Sequence, residues 1–179
     1  MRKVLYIFGL LSDGDVEWMA RAGVRRWSRP GEVLIHQGRP VDSVILVLEG
    51  ELIVSVRGVG EVARLGVGEV VGEMSYVDSA PPSATVSAHE RTLALFIDKQ
   101  LLTRRLESDV AFGCRFYRAL AVFLADRLRG ADRKLGYGET HSLDGDAMME
   151  DELDLTTLDT VSLAGARFHR MLQALTGAP

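Results

Sequence analysis

Leu65-Gly66-Val67-Gly68-Glu69-Val70-Val71-Gly72-Glu73-Met74-Ser75 and, a few residues on, Pro81-Pro82-Ser83-Ala84-Thr85-Val86 decide how this chain is read. The segment predicts a strand, a glycine break, a short turn of helix, a Pro-interrupted loop and a second strand. The start of a helix offers unpaired N–H donors and a favourable dipole to an anion. Glu73 sets a carboxylate beside those donors. Such a bend suits a small anionic ligand.

The surroundings of the bend are turn-rich. Eight of the 18 glycines fall between Gly31 and Gly72, which favours a β region over a helical bundle. From Glu32 the apolar period becomes two, through Val33, Ile35, Val44, Leu46 and Leu48. Glu49-Gly50-Glu51 predicts a tight reversal, and Gly58-Val59-Gly60 a hairpin loop between residues 52–57 and 61–65. Residues 84–88 and 92–97 add two more strands. Seven or so short strands with Gly or Pro punctuation predict a closed or sandwiched β-roll.

Helices flank it. Ser12 can cap a short helix with Asp15 at its third position, Gly23 at its end, and Val16, Met19 and Ala20 inside. After Asp98 a short helix precedes a long one, which Ser108 is expected to cap and Gly136 and Gly138 to end. Phe116, Leu120, Phe123, Leu124 and Leu128 form one stripe along it. Arg115, Arg118, Arg127, Arg129 and Arg133 read mostly as solvated charge. A last amphipathic helix is expected from Val161, Ala164, Phe168, Met171, Leu172 and Leu175, packing on its own domain or on a partner.

With these motifs in place, the chain resembles the cyclic nucleotide-binding domain family, the sensor domain of catabolite-activator and fumarate–nitrate type regulators. Gly31, Gly38, Gly50, Gly68 and Gly72 match its glycines, over roughly residues 5–130. The resemblance implies a mainly β fold with flanking helices: a β-roll (double-stranded β-helix or jelly roll) and a long C-terminal dimerisation helix. The domains expected are a roll with its helices at 1–135, an acidic linker at 136–156 and a terminal helix at 157–179. By the same resemblance Gly72, Glu73, Met74 and Ser75 form the phosphate cassette, with Glu73 accepting from a ribose 2′-hydroxyl. Ser83 and the amide of Ala84 would donate to phosphate oxygens, and Thr85 would reach the base.

Pro82 departs from the family pattern, which has an arginine there. Proline offers neither charge nor N–H. A charge-assisted contact contributes about 1.5–3 kcal/mol, so its loss weakens a site roughly ten- to a hundredfold. Three readings stay open. Arg64 supplies the charge; the ligand differs, with cyclic di-GMP gripped by Arg115 and Arg118 slightly favoured over cyclic AMP or cyclic GMP; or the fold is a ligand-free dimeric scaffold.

Composition narrows the function further. Eight acids between Glu139 and Asp159 have no Lys or Arg among them, leaving 17 acids against 21 bases elsewhere. Only 44 residues follow Leu135, too few for the ~70-residue winged helix-turn-helix of DNA-binding relatives, and acids repel phosphates. Direct DNA binding is therefore not expected. Cys114 stands alone, which excludes a cysteine-held cluster and suits a reducing cytoplasm. The four His do not cluster at metal spacing, no cofactor is expected, and no apolar run reaches the ~18 residues of a membrane span. The expectation is a non-enzymatic, homodimeric cytoplasmic receptor for a nucleotide second messenger. It would signal through a protein partner, with a transcription factor of the same superfamily as one candidate.

Overall fold

Ser12 opens the first helix, α1 (Asp13–Ala22), by the reciprocal capping its sequence predicts. The Asp15 amide donates to Ser12 Oγ at 3.2 Å, and the Ser12 amide donates to Asp15 Oδ2 at 2.7 Å. Gly23 ends the helix at an ordinary φ of −85°. Its lack of a side chain serves packing instead, since a Cβ there would lie 2.6 Å from Leu95. The computed structural model from which these contacts come describes residues 8–134 and 155–176.

Eight strands follow: β1 (Val24–Ser28), β2 (Val33–Ile35), β3 (Ser43–Glu49), β4 (Leu52–Val56), β5 (Gly60–Leu65), β6 (Val70–Val71), β7 (Thr85–Ala88) and β8 (Thr92–Asp98). The helix α2 (Met74–Val77) interrupts them between β6 and β7. All pairings are antiparallel, in two four-stranded sheets ordered β1-β8-β3-β6 and β2-β7-β4-β5. Gly50, Gly58 and Gly60 turn the hairpins at positive φ, as their positions predict. This is the expected β-roll.

Two apolar interiors result. Ile35, Ile45, Val47, Leu52, Leu65, Val71 and Val86 fill the space between the sheets. Val44, Leu46, Leu48, Leu95 and Ile97 face the helices instead. β3 is therefore buried on both faces from Val44 to Leu48, and its alternation sorts residues between two cores, not between core and water. β1 escaped the sequence reading for the opposite reason. Its first four residues are exposed, so no apolar alternation marks it.

The helical layer comprises α3 (Lys99–Ser108), α4 (Val110–Lys134) and α5 (Leu155–Thr176). Asp109, not Ser108, takes the capping role for α4: its Oδ1 accepts from the Phe112 amide at 2.9 Å, while Ser108 Oγ donates back to the Arg105 carbonyl at 3.1 Å. The stripe on α4 is also used differently from a free pairing surface. Phe116, Leu120 and Phe123 are buried against this chain's own roll, Leu124 is partly buried there, and Leu128 is exposed.

The final helix packs on its own domain. Ala164, Met171 and Leu175 are buried in the helical core, and the Phe168 and Phe8 rings meet edge-on at 5.4 Å. Arg167 and Arg170 donate to Asp13 at 2.6 and 2.7 Å, and Arg167 also reaches the Phe8 and Gly9 carbonyls. The helix begins at Leu155, inside the expected linker. The rest of that acidic segment, with Gly136 and Gly138, lies outside the described residues. No helix among the described residues is long and apolar enough to cross a membrane.

Candidate functional site

The bend begins where β6 runs into Gly72. This residue has φ +83°, and a Cβ on it would sit 2.6 Å from the Ser43 carbonyl oxygen. Only glycine passes so close beneath β3 with that backbone. The chain then enters α2 with Glu73 at the N-cap in helical conformation. Its first turn leaves the amides of Met74 and Ser75 without intrahelical carbonyl partners. The Met74 side chain points largely to solvent.

Side chains lock the base of this turn. Ser75 Oγ donates to the Gly72 carbonyl at 3.2 Å and accepts from Lys99 Nζ at 2.8 Å. Burial pushes the Lys99 ammonium below its ordinary value, opposed by the charges of Asp42, Glu73 and Asp78. Past α2, Asp78 accepts from the Ala80 amide at 2.9 Å, and Ser79 takes a left-handed φ of 57°. The Pro82 carbonyl accepts from the Gly38 amide at 2.8 Å. Ser83 is exposed and Ala84 partly buried. Thr85 Oγ1 accepts from the Gln37 amide at 3.2 Å, so its hydroxyl already braces the turn between β2 and β3. Gly72, Glu73, Met74, Ser75, Ser83, Ala84 and Thr85 thus stand at the two ends of one braced bend.

The three arginines singled out from the sequence lie elsewhere. Arg64 donates to Glu61 at 2.7 Å and to Glu51 at 3.1 Å, on the exposed face of β5. Arg115 grips Asp15 through two hydrogen bonds, of 2.7 and 2.9 Å, and so ties α4 to α1. Arg118 is exposed on α4.

The arginine that meets the bend is Arg127, which the sequence reading treats as solvated charge. Its Nη1 donates to Glu73 Oε1, and its Nη2 stands 4.0 Å from Glu69 Oε2. The guanidinium lies 4.8 Å over the Phe123 ring. A signal for it exists: Arg127 extends the run Phe116, Leu120, Phe123 by four residues, so it shares their inward face.

Glu73 is only 2% exposed. It lines a cavity of about 30 Å³, room for one water, between the roll and α4. The other walls include Val44, Leu46, Val70, Ile97, Phe116 and Leu120. Burial raises the Glu73 carboxyl above its ordinary value, and the Arg127 charge opposes this without cancelling it. Glu69 is buried too, and its Oε2 has no hydrogen-bond partner. Two buried carboxylates therefore share one guanidinium. Among the described residues no group of three or more His, Cys, Asp or Glu is placed to hold a metal.

Solved structures share this fold, and known sequences match part of the chain. The family model described as "cyclic nucleotide-binding domain" matches residues 25–109. The potassium voltage-gated channel protein eag of Drosophila melanogaster is 31% identical over 130 residues, which is 72% of this chain and 11% of that protein. A cGMP-dependent protein kinase of Eimeria tenella is 30% identical over 99 residues, 55% of this chain and 10% of that protein. The chain thus spans about a tenth of these two relatives. A cyclic nucleotide-binding domain from Methylobacillus flagellatus has the same fold, with TM-score 0.69 and 23% identity over 79% of this chain and 85% of that one. The Thermus thermophilus catabolite activator protein gives TM-score 0.61 and 23% identity over 96% and 87%. Residues 25–109, from β1 to α3, with the two-sheet roll they build, thus form a domain of the cyclic nucleotide-binding family.

Proposed function

We propose that this chain is a non-enzymatic receptor for a nucleotide second messenger, and that a 3′,5′-cyclic mononucleotide, cyclic AMP or cyclic GMP, is its ligand. The observation that carries this reading is the Gly72 passage with Glu73 directly behind it, inside the matched domain. A glycine forced against the Ser43 carbonyl fixes where the following amides and carboxylate stand. Glu73 would accept from the ribose 2′-hydroxyl. The amides of the bend, with Ser83 and the Ala84 amide, would donate to the phosphate. Thr85 would exchange its Gln37 contact for one to the base.

Cyclic di-GMP is the weaker choice on this geometry. Its appeal is arginine stacking from α4, and Arg115 is already committed to Asp15. Without a guanidinium at position 82, the mononucleotide site is expected to be weaker by roughly ten- to a hundredfold than one that has it. Output would pass by protein contact, from a homodimer formed along the exposed face of α4 that carries Tyr117 and Leu128. A transcription factor is one fitting recipient, in the cytoplasm and without direct DNA contact by this chain.

Titration calorimetry with cyclic AMP, cyclic GMP and cyclic di-GMP tests the reading, with melting temperature as a second readout because a ligand of the native state raises it. Saturable binding of a mononucleotide is expected. Silence from all three supports a ligand-free scaffold instead, which the existing Glu73–Arg127 contact and Pro82 would suit.

A further inference from the structure

From the cluster of Glu69, Glu73 and Arg127 we infer that Arg127 is a positioning residue with two stations, and that ligand and α4 compete for the Glu73 carboxylate. The inference rests on the receptor reading above.

The first station is occupied. Arg127 holds Glu73, the group expected to receive the ribose hydroxyl, and so keeps the binding carboxylate turned to α4. A nucleotide hydroxyl donating to the same oxygen competes with Arg127 for its negative charge. The second station is close and only partly filled, by a long ion pair without a hydrogen bond. Glu69 Oε2 is buried, lacks a hydrogen-bond partner and lies 4.0 Å from Arg127 Nη2. A buried carboxylate oxygen without a hydrogen bond is costly, so a guanidinium released from Glu73 gains by closing on it. The Phe123 face beneath the guanidinium, at 4.8 Å, supports the cation in either position.

Function follows from where these groups sit. Glu73 belongs to the bend, Glu69 to the turn between β5 and β6, and Arg127 to the long helix. A shift of Arg127 from one acid to the other moves the contact between α4 and the roll. Ligand then changes the helix through a difference in contacts between two states, as any ligand-driven shift requires.

The test combines calorimetry with cyclic AMP and cyclic GMP and hydrogen exchange of residues 116–129, on the full chain. Arg127→Gln frees Glu73, and is expected to tighten nucleotide binding at least fivefold and to speed exchange in α4 before ligand is added. Glu69→Gln weakens the second station, and is expected to loosen binding severalfold while leaving exchange of the free protein near wild type. Arg127→Lys keeps the charge without the fork and should fall between wild type and Arg127→Gln. A residue that merely holds the fold would shift both affinities the same way. Equal binding by wild type and Arg127→Gln, or weakening by both Arg127→Gln and Glu69→Gln, overturns the competition and leaves the receptor reading standing. Binding by none of the proteins removes the receptor reading and the competition with it.

Discussion

Two buried carboxylates, each met by an arginine of α4, make the most instructive comparison in this molecule. Asp15 and Glu73 are both 2% exposed. At Asp15, burial pushes the carboxyl up, but hydrogen bonds from Arg115 and from Ser12 together outweigh it, and the group ends below its ordinary value. At Glu73, burial also pushes up, and Arg127 with the residue's own amide does not overcome it. The first carboxylate is saturated with donors and closes a helix–helix junction. The second is left in an apolar wall with its charge only partly answered. Equal burial therefore does not mean equal purpose: a fully satisfied ion pair fixes structure, whereas an under-satisfied one is available for exchange.

The harshest way to break this comparison is at the gate of the second site. Gly72→Ala places a Cβ 2.6 Å from a backbone oxygen at φ +83°, and is expected to cost about 3 kcal/mol in urea unfolding and to abolish nucleotide binding. Unchanged stability would mean that β3 yields there.

Arg115→Ala comes next. Stranding Asp15 is expected to cost about 2 kcal/mol, below the roughly 3–5 of a fully buried pair because water partly screens Arg115. Nucleotide affinity should not move, and a tenfold change would put Arg115 at the ligand after all.

Glu73→Gln is milder, within about 1 kcal/mol at neutral pH, since it removes a poorly answered buried charge while leaving Arg127 the nearby Glu69 as a partner. Its sharper signature is in pH. Because the folded-state value of Glu73 is raised, the folded protein holds that proton more tightly than the unfolded chain. Wild-type stability should then fall as pH rises from about 4.5 through the raised value, and Glu73→Gln should flatten that decline. Asp15 behaves oppositely. Its contribution is present above 3.8 and lost as pH falls through the depressed folded value, so Asp15→Asn should flatten the acid limb instead. Chemical unfolding across pH 2.5–7, about the span where carboxylates titrate, reads both slopes; parallel curves for the two variants would erase the distinction.

The smallest effect is expected from Arg64→Ala. Its partner Glu61 is exposed and Glu51 partly so, so melting temperature should hold. Nucleotide affinity should hold too, and a clear loss would return Arg64 to the ligand.

Much of the roll was legible because its signals are local. Positive-φ glycines at Gly31, Gly38, Gly50, Gly68 and Gly72 leave marks in the sequence, and so does the Ser12–Asp15 cap. β1 was not legible, because an exposed edge strand needs no apolar alternation. The site was half legible. Residues of the bend are contiguous and carry their own punctuation, whereas Arg127 meets Glu73 across 54 positions. Charge pairing over that separation depends on how α4 lies on the roll. The same holds for Arg115, whose partner is 100 positions away. The α4 stripe was visible as a stripe, but periodicity cannot say whether a greasy face meets its own sheet or a second copy.

The grip of Arg167 and Arg170 on Asp13 spans more than 150 positions, and this has a consequence during synthesis. At about 5–20 residues per second, the apolar flank of α1 emerges from the ribosome roughly ten to thirty seconds before the helix that covers it. Through that interval the nascent protein exposes an apolar strip, and any truncation before Leu155 would make the exposure permanent.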